Sequence, residues 1–206
     1  IEAKGKIIKN EMSTAVELSV NEALNRNFEC AFEPVRKYQL SLPFPSGLGV
    51  DWSNFGGPRE IFIINSILDD WPLILSEIQP DLKPLVRQGA ICMFLWGLKL
   101  DGELRKKLAS NGTHLGPDDV CRMMLFFAQN KFRIFDAKSK SEELGMPYIM
   151  KILRFEGDFC SACKKHRVGD YSLSEVPEIP LADCRCKGGC TISLSEALDI
   201  NKVTTI

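Results

Sequence analysis

Residues 160–190 read CSACKKHRVGDYSLSEVPEIPLADCRCKGGC and hold five of the chain's eight cysteines. The spacing is Cys160-x2-Cys163, then twenty residues, then Cys184-x-Cys186-x3-Cys190. A C-x2-C pair sets two thiolates on one tight turn, where both reach a tetrahedral ion at about 2.3 Å. A second cysteine group beyond a linker of this length completes the pattern of a two-knuckle zinc site. Gly188 and Gly189, just before Cys190, allow the backbone to curl so that amide groups approach a metal-bound sulfur. A mononuclear site closes at four ligands. Cys160, Cys163 and Cys190 are therefore expected in it, with Cys184 preferred over Cys186 for the remaining place. Residues i and i+2 of an extended segment face the same side, so Cys186 stays a candidate. His166 is the other nearby donor, read as a solvated surface residue.

Between the two groups, YSLSEVPEIPL contains Pro177 and Pro180 with Tyr171, Leu173, Val176, Ile179 and Leu181 as apolar anchors. The prolines stiffen an extended crossing and lower the entropy cost of bringing the cysteines together. The segment is expected to lie over the site as a lid. Disulfides fit less well, because they belong to secreted chains that lack a large core. A redox C-x-x-C calls for a βαβ context and a helix after its first cysteine, whereas this segment runs quickly into Gly169. A catalytic zinc needs an open position and a neighbouring acid–base group, and no H-x-E accompanies these cysteines. The expected cofactor is a structural Zn²⁺.

The same stretch resembles the C-terminal motif of head-morphogenesis, or minor head, proteins of tailed phages. The likeness rests on Cys160, Cys163, Gly169, Tyr171, Pro177, Pro180, Leu181, Cys184 and Cys186, and it covers about thirty of the 206 residues. That family usually carries a histidine shortly after the P-L pair, where this chain has Ala182 and Asp183, and Cys190 is additional. The resemblance implies a metal site and a role in virion assembly.

Outward from the cysteines, the chain reads as mainly α. Residues 1–150 are expected to form a helical body, and residues 151–206 a cysteine-rich zinc-binding module with a short β-hairpin. IEAKGKIIKN, residues 1–10, is strongly charged and weakly periodic, which suggests a strand or arm. Thr14 with Glu17 fits a capping box, and Val16, Val20, Ala23, Leu24 and Phe28 share one face of a helix over 14–28. Residues 41–58 contain three prolines and four glycines. They are expected to form a long loop packed by Leu42, Phe44, Trp52 and Phe55, and loops of that length often bind partners.

Pro58 opens a helix, Asp70, Asp81 and Asp101 are expected N-caps, and Gly116-Pro117 with Asp118 and Asp119 starts the segment VCRMMLFFAQN. KFRIF at 131–135 alternates as a short strand does, and PYIMKILRF at 147–155 suits either element.

The bulk numbers bound the function. Hydrophobic residues at 45% and charged residues at 26% predict an ordinary packed core. Lys plus Arg number 26 against 27 Asp plus Glu, so no chain-wide basic field draws nucleic acid or an anionic membrane. A local basic run is present in Lys164, Lys165, His166 and Arg167, joined by Arg185 and Lys187, but neighbouring carboxylates nearly balance it. Nucleic-acid binding or nucleolysis is therefore the alternative function.

Apolar runs such as AICMFLWGL are far shorter than the about 20 residues a membrane span needs, and no signal-peptide pattern opens the chain. The chain begins at Ile1 without a methionine, which leaves room for an upstream segment. Glu2-x-Lys4 carries half of a nuclease-like pattern. Cys30, Cys92 and Cys121 stand in apolar contexts and are expected to be core residues. The sequence thus predicts a cytoplasmic zinc-binding protein that acts through a protein partner or assembly, not through catalysis or a membrane.

Overall fold

The computed structural model describes residues 2–42, 50–154, 159–165, 169–190 and 192–200, with side chains left out of account at 2–11 and 154. Phe44, His166 and the middle of the expected 41–58 loop lie outside the described residues, as do the side chains of Glu2 and Lys4. The described elements are α1 (Glu2–Leu24), α2 (Phe28–Ser41), α3 (Pro58–Asp69), α4 (Lys83–Trp96), α5 (Gly102–Lys107), α6 (Pro117–Leu144), β1 (Tyr148–Arg154), α7 (Ser161–Lys165), β2 (Asp170–Ser172) and β3 (Ile192–Leu198). The chain is mainly α with one small sheet.

The N-terminal residues form helix, not the strand or arm expected, and Thr14 sits inside α1 instead of capping a helix at 14. Tertiary packing overrides weak local periodicity here: Val20 and Ala23 are buried against α2 and α4. The chain reverses at Arg26, which takes a left-handed φ of 61°. Arg26 then reaches α3, where its guanidinium pairs with the Asp69 carboxylate and donates to Asn65 Oδ1 at 2.7 Å.

Asp70 ends α3 instead of starting a helix, and WPLILSEI holds only a 3₁₀ turn at Leu73–Leu75. Asp81 likewise lies within a 3₁₀ turn, Pro80–Leu82, and α4 begins at Lys83 with Pro84 in its first turn. Prolines 72, 80 and 84 crowd this region and remove the backbone donors that longer helices need. Asp101 does cap α5, its Oδ1 accepting from the N–H groups of Glu103 and Leu104 at 2.8 and 2.9 Å. Asp118 and Asp119 lie in the first turn of α6, where negative charge suits the helix dipole. Their side chains bind elsewhere: Asp118 accepts from Leu100 N–H and pairs with Arg105, and Asp119 pairs with Arg122.

The largest departure is α6. KFRIF is not a strand but the middle of a helix of 28 residues, about 42 Å long. No glycine or proline interrupts residues 118–144, and the helix stops at Gly145, whose φ of 63° is left-handed. Along it Val120, Cys121, Met123, Met124, Ala128 and Ala137 are buried. α3, α4 and the sheet all pack against it.

PYIMKILRF resolves as β1, the central strand of an antiparallel sheet of order β2-β1-β3. Met150 pairs with Tyr171 on one side, and Ile152 with Leu194 on the other. The expected boundary between residues 150 and 151 falls within β1. The outer edge of β3 is covered by α6: Asn130 Oδ1 accepts from Leu194 N–H at 3.3 Å, and Arg133 donates to Leu194 O at 3.0 Å and to Ser193 Oγ. Covering an edge in this way blocks unwanted strand pairing. The buried apolar side chains, from Val20 in α1 to Leu194 in β3, form one connected cluster that includes the cysteine segment.

Candidate metal centre

The sheet topology builds the site. The connection from β1 to β2 carries Cys160 and Cys163, and the connection from β2 to β3 carries Cys184, Cys186 and Cys190. Because Arg154 pairs with Ile192, the end of β1 lies opposite the start of β3, and both connections meet at that end. Cys163 is held in the single turn of α7, where Lys164 N–H bonds Cys160 O at 3.0 Å. The opposite group is shaped by two turns, Cys184 N–H to Leu181 O at 3.1 Å and Gly189 N–H to Cys186 O at 3.0 Å.

All five expected cysteines are free thiols and come together. Cys163, Cys184, Cys186 and Cys190 are buried, and Cys160 is half-buried at the rim. The Sγ atoms of Cys160, Cys163, Cys184 and Cys186 all lie within 4.8 Å of one another. Individual separations are 3.5 Å for Cys163–Cys184, 3.7 Å for Cys163–Cys186 and 3.9 Å for Cys160–Cys184. Four sulfurs each about 2.3 Å from a central ion form a tetrahedron with edges of about 3.8 Å, so these spacings suit a thiolate-bound metal. Cys190 Sγ adjoins the group at 3.9 Å from Cys163 Sγ. The sequence reading favoured Cys184 with Cys190. The mutually close set instead contains Cys184 with Cys186.

Backbone donors surround the sulfurs. Arg185 N–H points to Cys160 Sγ and Cys160 N–H to Cys186 Sγ, both at 3.3 Å, and Cys186 N–H points to Cys184 Sγ at 3.4 Å. Burial opposes ionisation of Cys160, yet hydrogen bonds from the Arg185 and Cys163 backbone and the neighbouring thiols outweigh it and bring the thiol down to about 6. Cys190 is also drawn down to about 6, chiefly by the Cys184 thiol and, against burial, by backbone hydrogen bonds from Leu181 and Ile192. Cys163 is pushed up by burial and by the adjacent Cys190 charge, and Cys184 by its hydrogen bond to Cys190 and by burial. Packed thiols cannot all ionise together without a cation, and a divalent ion removes that conflict.

The glycines act differently from the expectation. The amides of Cys160, Arg185 and Cys186 are among those that reach sulfur, while Gly188 and Gly189, with φ of 79° and 91°, turn the chain against α6. A Cβ on Gly189 would fall 2.6 Å from Met123 Sδ. Cys190 N–H donates to Met123 Sδ at 3.2 Å, and the Arg122 guanidinium donates to Gly188 O. Met123 and Arg122 thus dock the cysteine loop on the body. Sequence reading missed both, because nothing in RMMLFF distinguishes a docking methionine from core. The lid expectation finds Ile179 and Leu181 buried, and Glu178 Oε1 accepting from Leu73 N–H at 2.6 Å.

The remaining cysteines stand apart from the cluster. Cys121 is buried as expected, but Cys30 is exposed and Cys92 only half-buried. Cys30 lies in the first turn of α2, on the side away from buried Ala31 and Phe32. Among the described residues no helix is long and apolar enough to cross a membrane.

Fold and site together define a mainly helical protein with a cluster of four cysteines, three of them buried, compatible with a metal centre. No protein-family model, curated protein or solved structure matches the chain.

Proposed function

We propose that the chain is a zinc-binding interaction or assembly component whose metal centre is structural. One observation carries this reading: the gathered donors are all thiols, four of the five are buried, and no carboxylate or imidazole among the described residues joins them. A closed thiolate set suits Zn²⁺ and leaves no position for substrate. Ligation then staples the two connections of the sheet to each other, and through Met123 and Arg122 to α6. A reducing compartment such as the cytoplasm keeps such thiols available. The cysteine motif's resemblance to phage head-morphogenesis proteins makes assembly of a particle the specific form of the proposal.

The test is elemental analysis of the reduced chain with a free-thiol count before and after chelation. One zinc per chain, with about four thiols released, supports the reading. Absence of metal with cysteines oxidised in pairs defeats it. Gel filtration then addresses assembly, where discrete oligomers or a stoichiometric complex are expected.

A second reading, nucleic-acid binding, is favoured by one feature. Lys164, Lys165, Arg185 and Lys187 are exposed on the two cysteine loops, and none forms an ion pair among the described residues. Four phosphate contacts would give a log–log salt slope of about −3 to −4. Binding that ignores salt argues against this alternative.

A further inference from the structure

Five thiols converge where a four-coordinate ion takes four. Cys160, Cys163 and Cys184 belong to the mutually close set, with Cys184 Sγ 3.9 Å from Cys160 Sγ and 3.5 Å from Cys163 Sγ, and they are taken as common to both arrangements. Two candidates remain for the fourth corner. Cys186 Sγ stands 3.7 Å from Cys163 Sγ and Cys190 Sγ stands 3.9 Å from it, and both values match the edge of a thiolate tetrahedron, about 3.8 Å. We infer that Cys186 and Cys190 are alternative fourth ligands, so that a loaded centre always keeps one unligated thiol at its side. This rests on the thiolate metal reading above and adds a ligand-exchange property to it.

The surroundings equip both thiols. Cys186 Sγ accepts the Cys160 N–H, which anchors it to the first cysteine pair. Cys190 Sγ is buried and lies against Cys163 Sγ at 3.9 Å. The backbone between them is fixed on α6: Gly188 O accepts from Arg122, Gly189 has no room for a Cβ beside Met123, and Cys190 N–H is bonded to Met123 Sδ. Exchange therefore falls to the side chains. The mutually close set contains Cys186, so Cys190 would enter by rotation about χ1, with Cys163 and Cys184 kept in common. One metal–sulfur bond forms as another breaks, and the proton leaving the incoming thiol passes to the departing thiolate. Charge and thiolate count at the ion do not change.

Cobalt(II) is the probe, because its absorption reports how many thiolates bind it and whether the geometry is tetrahedral. The full-length reduced chain is titrated beside Cys186→Ser, Cys190→Ser and the double variant, each checked for folding by far-ultraviolet circular dichroism. Each single variant is expected to keep the four-thiolate spectrum, with affinity reduced by less than about 100-fold. The double variant is expected to lose that spectrum. If one single variant loses it while the other is unaffected, the fourth ligand is fixed and the inference is overturned. Loss in both folded single variants overturns it too. Failure of the unaltered chain to bind cobalt strikes the metal reading itself, a separate result. Should a single variant not fold, slow alkylation of the zinc-loaded unaltered chain decides. Label shared between Cys186 and Cys190 supports exchange, and label on one alone refutes it.

Discussion

At the scale of single residues, eight cysteines occupy three environments. Cys30 is exposed, Cys92 and Cys121 belong to the helical core, and five lie in the cluster. Burial, with the Asp101 charge adding to it, pushes the Cys92 thiol up to about 11, and burial raises Cys121 further. Since the thiolate is the reactive form, both are suppressed at neutral pH. In zinc-loaded protein at pH 8, iodoacetamide is therefore expected to label Cys30 first and to leave Cys92 and Cys121 unmodified over the same period. Peptide mass mapping reads the order. Rapid labelling of Cys121 would show that the α4–α6 contact opens readily in solution.

Helices and strands meet at places where one atom decides the fit. α4 crosses α6 at Gly89, where a Cβ would stand 2.5 Å from Cys121 Sγ and 2.7 Å from Leu100 Cδ2. Both neighbours are buried and cannot retreat into solvent. Overpacking of about 1–3 kcal/mol, set against about 1 kcal/mol of helix propensity gained, makes Gly89→Ala destabilising by up to about 2 kcal/mol. Urea denaturation measures this. Adding Cys121→Ala opens the space, so the double variant should lose less than the sum of the two single changes.

Elsewhere, the turn between α1 and α2 is tied to α3 by Arg26 and Asp69. The hydrogen bond from Arg26 is the main reason that the Asp69 carboxyl is held below its usual range. A carboxyl depressed in the folded state contributes stability above its unfolded value near 4, and that contribution disappears as pH falls through the lower folded value. Asp69→Asn is therefore expected to lower Tm at pH 7 by no more than about 3 °C, because the pair is exposed, and by less at pH 2. Thermal scans at the two pH values check it.

The molecule as a whole has one core that runs from α1 through α6 into the sheet and the cysteine loops. β1 and β3 are joined along their full length, and β3 is further bonded to Asn130, Arg133 and Lys140 of α6. Both strands are therefore expected to hold without an ion. The cysteine loops differ, because their thiols repel one another once ionised. Chelation is expected to make residues 159–190 protease-sensitive while the helices and the β1–β3 pair stay protected, with fragments identified by mass spectrometry. Unchanged resistance would mean that packing on Met123 and Arg122 suffices without an ion. Zinc at about 1,000 times its Kd adds about 4 kcal/mol, so loaded protein should melt about 8–16 °C above the chelated form.

The cysteine spacing alone determined two groups of thiols with metal-ligand spacing, because C-x2-C and C-x-C-x3-C each place their sulfurs on short turns; the sheet brings the two groups together. Periodicity and punctuation determined a mainly helical chain, the cap at Asp101 and the stop at Gly145, since these are local properties of the backbone. Only the tertiary structure decided the rest. KFRIF alternates like a strand, yet the apolar positions of α6 acquire meaning only against α3, α4 and the sheet. WPLILSEI carries helical periodicity, but with Pro72 within it and Pro80 just after, it forms a single turn, whose Leu73 N–H is taken by Glu178. Which of Cys184, Cys186 and Cys190 stand mutually close depends on where Met123 and Arg122 hold the loop. Those residues lie more than sixty positions away in sequence, and contacts at such separations are set by the packing of helices on a sheet, which leaves no local pattern to read.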